Sequence, residues 1–299
     1  MGELFYYATW FFSCKFLGKR KPLQSVVFIT DQCNLNCAHC NIAKNGTDCT
    51  TKTYEQVKDD LEYCYQLGSR IVDFEGGEPH LWHDGNKDLN SLIDLAKQIG
   101  YHQSTVTTNA ALPITAKSDM IWVSIDGMQE KHDEQRAPGS FEKAMKNIAE
   151  CGHPNLNVNM TITANNYEDF EAVAYMVKDS PHMRRLSFSF FMPYERRDLC
   201  VSPEIRNQII DKALALKKGG HDFMNSYAGL KLLREPSKFA HKRQCWISNF
   251  ILMDETRLEE CPGSAVGLCE ECGFGMAAEM TLLWKLHPEM LKAGLSVRS

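Results

Sequence analysis

The feature that most constrains this chain is an alternation of two kinds of segment. Short runs rich in β-branched and aromatic residues recur at 26–30 (VVFIT), 71–74 (IVDF), 104–108 (STVTT), 120–125 (MIWVSI), 156–163 (LNVNMTIT) and 185–191 (RLSFSFF). Each reads as a strand. Between them, segments 53–67, 88–99, 140–150 and 167–178 place apolar residues three and four apart, with Thr53 and Ser140 as helix starters. The stretch between the third and fourth runs is too short for a full helix. Six such units predict a parallel α/β sheet curled as a partial barrel, with the working residues on the loops after the strand C-termini.

After Pro193 the pattern changes. A helix is expected near 203–218, then a break at Lys217-Lys218-Gly219-Gly220, then a second helical stretch to about Leu233. From Cys245 onward the chain reads as short strands and turns, dense in cysteine and glycine. The expected division is an N-terminal aromatic and basic helix (1–23), the barrel (24–200) and a helical, cysteine-rich extension (201–299). Of the 299 residues 43% are apolar and 24% charged, which argues against both disorder and multiple membrane spans. A net charge of −5 removes a chain-wide basic surface, and with it nucleic acid as the main partner.

The start, MGELFYYATWFFSCKFLGKRKPL, carries an apolar segment from Leu4 to Leu17, 14 residues against the roughly 20 that span a bilayer. Lys19, Arg20 and Lys21 follow it. Two readings stand: a helix lying on an anionic membrane surface, or a helix packed on the domain or on a partner copy. No secretory signal is convincing, so a reducing, cytoplasmic setting is expected, peripheral to the membrane under the first reading.

The 12 cysteines are clustered, with Cys33, Cys37 and Cys40 near the start and Cys245, Cys261, Cys269 and Cys272 near the end. Clustering favours metal or cluster ligation over a disulfide framework. Cys14, Cys49, Cys64, Cys151 and Cys200 read as ordinary thiols. Residues 30–41, TDQCNLNCAHCN, set C-x3-C-x2-C directly after the first strand. A zinc site there would need the adjacent His39 and Cys40 to converge on one ion, and a second ligand knuckle is lacking. An iron–sulfur cube fits better, because three thiolates hold three irons and leave the fourth open to a ligand that is not protein.

On these residues the chain resembles the radical S-adenosylmethionine (SAM) enzymes over roughly residues 24–200. The resemblance implies a partial (β/α)6 TIM-like barrel, a [4Fe–4S] cluster on Cys33, Cys37 and Cys40, and SAM on its open iron. Reductive cleavage of SAM then gives a 5′-deoxyadenosyl radical that takes hydrogen from a substrate, with electrons from a flavodoxin- or ferredoxin-type donor. His39 stands where the family usually has an aromatic residue near the adenine. FEGGEPHL (74–81) resembles the turn that binds the SAM amino group, which implicates Gly76, Gly77, Glu78 and Pro79. VSIDG (123–127) and the segment after it place Ser124, Asp126 and Arg136 at positions resembling contacts to the SAM carboxylate or ribose. Asp126 could equally cap its turn, and Arg136 could form a surface ion pair. Thr108, Asn109 and Asn165 fall at the expected barrel mouth.

The C-x15-C-x7-C-x2-C array of Cys245, Cys261, Cys269 and Cys272 resembles the Twitch or SPASM extensions of that superfamily, which hold an auxiliary [4Fe–4S] cluster. It departs from them at Thr256, where glycine is usual, and in the short run from Cys261 to Cys269. The same four thiolates could instead hold structural zinc. CEECGFGMAAE and KFLGKRKPL also resemble the radical SAM enzymes that adenosylate hopanoid lipids. The expected function is hydrogen abstraction from a small-molecule substrate, oxidising an alcohol carbon. The alternatives are modification of a lipid at a membrane surface and a non-catalytic metal-binding protein. About 25 residues precede the first strand, too few for a separate peptide-recognition domain.

Overall fold

A computed structural model describes residues 2–43, 48–240 and 244–290. The predicted strands form: β1 (Gln24–Thr30), β2 (Ile71–Gly76), β3 (Gln103–Thr108), β4 (Met120–Ser124), β5 (Leu156–Ile162) and β6 (Leu186–Phe190) pair in sequence order, all parallel. Two further strands extend the sheet to eight. β7 (Ser248–Ile251) lies parallel against the outer edge of β1, and β8 (Arg257–Leu258) turns back antiparallel on β7. The fold is the expected mixed α/β partial barrel.

Side chains alternate across each strand. Val72, Phe74, Val106, Ile121, Val123 and Val158 point outward and are fully buried under the helices. This is the apolar layer that a parallel sheet needs on its helix-covered face. The alternate residues line a concave inner face that is largely polar, with Thr107, Ser124 and Thr161 reaching the cavity at the barrel mouth.

Helix starts follow local chemistry where the signal is local. Thr53 and Gln56 form a reciprocal capping box on the helix Tyr54–Leu67, and Asp88 caps Leu89–Ile99 with Ser91. Ser140 does not act as the cap expected of it. It is the first residue of the helix Ser140–Cys151, whose exposed amides are met from outside: Asp133 accepts from Gly139 N, Phe141 N and Ser140 Oγ at 2.8, 2.8 and 3.2 Å. The C-terminal region also departs from expectation. Gly275–Trp284 is a ten-residue helix, not turn, and buries Ala277, Ala278, Thr281 and Leu282.

One core cluster runs from Val27 through Ile209 and Ile210 of the helix Pro203–Lys218 to Ala278. A second cluster fixes the N-terminal helix, Glu3–Phe16: Trp10 and Cys14 pack with Trp246 and Ile247, and Trp284 closes the group with its ring 5.1 Å from that of Trp246. The other side of this helix leaves Phe5, Phe12 and Phe16 more than half exposed. Among the described residues no helix is long and apolar enough to cross a membrane.

Candidate functional site

The loop after β1 is held at both ends. The Asp31 carboxylate accepts from Thr50 N at 2.6 Å and Thr50 Oγ1 at 2.8 Å, and Ala38 N donates to Gln135 O at 2.8 Å. Within this loop Cys33, Cys37 and Cys40 line a cavity of about 220 Å³ at the C-terminal ends of the strands. Each sulfur receives N–H donors: Leu35 N (3.4 Å) and Asn109 Nδ2 (3.7 Å) on Cys33, Arg136 Nη1 (4.0 Å) on Cys37, Ile42 N (3.5 Å) and Ala43 N (3.3 Å) on Cys40. Burial pushes the Cys37 thiol up to about 11 although Arg136 opposes it, and burial also raises Cys33. Thiols in this setting ionise when a positive centre takes the charge, while N–H donors of this kind tune cluster thiolates. By donor chemistry the three cysteines fit an iron–sulfur group, although among the described residues no three ligand side chains are drawn to metal-binding distances.

The glycine turn after β2 presses directly on this loop. Gly77 N donates to Thr30 O and Glu78 N to Gln32 O, both at 2.8 Å. A Cβ on Gly76 would stand 2.1 Å from Thr30 O, and one on Gly77 2.2 Å from Gln32 O. Both glycines line the cavity, whereas Glu78 and Pro79 are buried behind its wall. Glu78 Oε1 accepts from Thr108 Oγ1 at 2.8 Å and lies 2.8 Å from His80 Nδ1, and Oε2 accepts from Asn109 N at 2.9 Å. Glu78 thus fastens the β3 turn beneath the site, and Asn109, held by it, reaches Cys33.

Ser124, Thr108, Asn109, His39 and Arg136 lie on the cavity wall. Asp126 does not. Fully buried, it accepts from Arg136 Nε at 2.7 Å and Thr161 N at 2.9 Å, with His39 Nε2 at 3.6 Å. Burial alone would raise its carboxyl, but Arg136 and His39 hold it below the usual range. Burial lowers His39, whose Nδ1 lies buried with no hydrogen-bond partner. Asn165 is exposed on the turn after β5 and away from the wall. Its neighbour Asn166 turns inward instead, donating Nδ2 to Asp126 O (2.7 Å) and Thr161 O (2.8 Å). Glu75, Thr107 and Thr161 also line the wall and escape motif reading, although strand alternation with the outward Phe74, Val106 and Val158 already points them inward.

At the other cysteine group, burial pushes the Tyr194 phenol up to about 12, and Cys261, Cys272 and Cys269 all add to the effect. The three thiols thus lie close enough to this hydroxyl, and Cys261 and Cys269 close enough to Cys272, to act on it through their charge. Cys245 packs from its own turn against the main core.

The profile of the radical SAM superfamily matches residues 27–178, just over half the chain, and the protein belongs to that superfamily. Membership makes it an enzyme, implies a [4Fe–4S] cluster and SAM as cofactors, and sets aside the non-catalytic alternative. It is 28% identical over 173 residues to GTP 3′,8-cyclase of Haemophilus influenzae (strain PittEE), covering 52% of this chain and 50% of that one. It is 26% identical over 166 residues to the antilisterial bacteriocin subtilosin biosynthesis protein AlbA of Bacillus subtilis (strain 168), covering 53% and 37%. The matches thus span half or less of the length of these relatives. Streptococcus suis SuiB bound to S-adenosylmethionine shares the fold at a TM-score of 0.63 and 17% identity, over 91% of this chain and 67% of that one.

Proposed function

We propose that this enzyme cleaves SAM reductively at a cluster held by Cys33, Cys37 and Cys40 and takes a hydrogen atom from a small polar molecule in the barrel lumen, oxidising an alcohol carbon. The observation that carries the reading is the convergence of these cysteines with Gly76, Gly77, Asn109, Ser124 and Arg136 on one cavity. When bound, the cluster supplies one electron to SAM, from a flavodoxin- or ferredoxin-type donor, and the adenosyl carbon so released abstracts the hydrogen. The chain's own residues set geometry. Gly76 and Gly77 let backbone approach the SAM amino group, with Glu78 and Pro79 bracing that turn from behind. Arg136, aimed by Asp126, faces the SAM carboxylate, and Ser124 and Asn109 supply hydrogen bonds. The cavity walls limit water around the reacting atoms. The auxiliary [4Fe–4S] cluster is assigned to Cys245, Cys261, Cys269 and Cys272, supported by the mutual electrostatic influence of the last three; the second electron that oxidation of the alcohol carbon releases would pass to that cluster when it is bound, and the hydroxyl proton to solvent. Anaerobically reconstituted protein with dithionite is expected to form 5′-deoxyadenosine from SAM, and Cys37→Ala to form none. Fully loaded wild type yielding no such product would sink the reading.

A second reading places the enzyme on an anionic membrane, acting on a lipid. It is favoured by Leu4, Phe5, Phe12, Phe16 and Leu17, 54–65% exposed on a helix whose opposite face is sealed, next to Lys19, Arg20 and Lys21. The protein is expected to float with vesicles containing anionic phosphatidylglycerol. Phe5→Ser/Phe12→Ser/Phe16→Ser should abolish flotation without lowering Tm, and equal recovery of both proteins from the lipid fraction would refute membrane docking.

A further inference from the structure

Two carboxylates on the inner wall of the barrel have no role in the SAM-binding reading. Asp73 and Glu75 are two residues apart on β2 and project to the same concave face of the sheet. Glu75 forms part of the cavity wall, and Asp73 lies one step deeper, 6% exposed. Asp73 is in register with Thr105 of β3 on one side and Val26 of β1 on the other. Thr107 Oγ1 reaches Glu75 Oε1 at 3.5 Å, a weak contact, while Asp73 Oδ1 is buried and has no hydrogen-bond partner. Burial raises both carboxyls, the Asp73 charge raises Glu75 further, and the nearby threonine hydroxyls offset this only in part.

Buried carboxylates are stable when a cation meets them. Arg136 on the cavity wall is already committed to Asp126, at 2.7 Å. We propose that Asp73 and Glu75 recognise a protonated amine on the substrate, the ammonium donating to Asp73 Oδ1 and to the Glu75 carboxylate from within the lumen. The proposal rests on the reading above that the lumen is where substrate meets SAM. Charge-assisted hydrogen bonds from one ammonium to two carboxylates outweigh those of a hydroxyl in the same place. The same pair repels phosphorylated and carboxylate-ended molecules, so it selects as well as binds.

SAM carries an ammonium of its own, so the test uses full-length, cluster-reconstituted protein already saturated with SAM. 1,4-Diaminobutane and 1,4-butanediol, equal in length and differing in charge, are titrated calorimetrically. The diamine is expected to bind at least about tenfold more tightly. Asp73→Asn/Glu75→Gln should remove that advantage and leave diol affinity unchanged, with iron content and Tm retained. Should the double variant not fold, Glu75→Gln at the cavity wall makes the same comparison. Equal affinity of the two probes for wild type, or a diamine preference that survives the substitutions, overturns the proposal. SAM cleavage is scored separately: diamine preference without 5′-deoxyadenosine sinks only the functional reading, and cleavage without diamine preference sinks only this one.

Discussion

At Asp126 the residue scale shows how a motif position can matter without touching a ligand. VSIDG places this carboxylate near the barrel mouth, but the structure buries it to aim Arg136, with Asn166 and His132 closing round its backbone. His132 is fully buried, and its Nδ1 accepts from Asp126 N at 3.2 Å, which requires the neutral ring. Burial, reinforced by the Arg136 charge, lowers it from 6.5 to about 4. The sign follows from proton binding: above pH 6.5 the ring is neutral folded and unfolded, and stability is full. Between 6.5 and 4 the unfolded chain takes up a proton that the folded one refuses, so stability falls with pH by an amount on the order of 3 kcal/mol, then levels off. His132→Asn keeps an acceptor for Asp126 N but does not titrate. Urea midpoints measured from pH 7.5 to 4.5 should therefore decline less steeply for the variant, and parallel curves would exclude His132 as the source.

At the scale of elements, what the sequence discloses depends on how far a signal reaches. The six parallel strands and the Thr53 cap are set by neighbours along the chain, and they appear where the periodicity puts them. So do the three cysteines and the glycine turn, whose spacing carries their chemistry. The hairpin of β7 and β8 falls where short strands and turns are expected, but a period of two says which face is apolar and not which strand is adjacent, so its place beside β1 is hidden. The helix Gly275–Trp284 is hidden for another reason: enclosed by the barrel and the tryptophan cluster, it is apolar nearly all round and has no amphipathic rhythm to detect. The cap of Ser140–Cys151 comes from Asp133, on the preceding helix Gln129–Gln135, so Ser140 is misleading. Asp133→Ala should cost about 1–2 kcal/mol, as lost caps do, whereas Ser140→Ala should cost less than about 0.5 kcal/mol. The reverse order in thermal melts would return the cap to Ser140.

Across the whole molecule the two cysteine groups hang from one sheet. The first follows β1, the second lies against Tyr194 just beyond β6, and β7 ties the segment between Cys245 and Cys261 to the outer edge of β1. Arg196 Nη1 donates to Ala38 O at 3.2 Å, and Arg206 Nη1 to Cys272 O at 3.1 Å, so the segments carrying the two groups are joined across the barrel mouth. The groups differ in the ligands they supply. On the proposed assignments, three thiolates would leave one iron open for SAM, and four would make a closed site that conducts electrons or braces the fold. Reconstituted wild type should therefore carry about eight irons per chain, and about four when Cys33, Cys37 and Cys40 are all replaced by alanine. Cys269→Ala/Cys272→Ala should also hold about four, but only that variant keeps a reduced-cluster electron paramagnetic resonance spectrum that shifts when SAM is added. About four irons with one zinc in wild type would make the second group a structural metal site. A spectrum in the triple variant that still responds to SAM would overturn the assignment of the open cluster to the loop after β1.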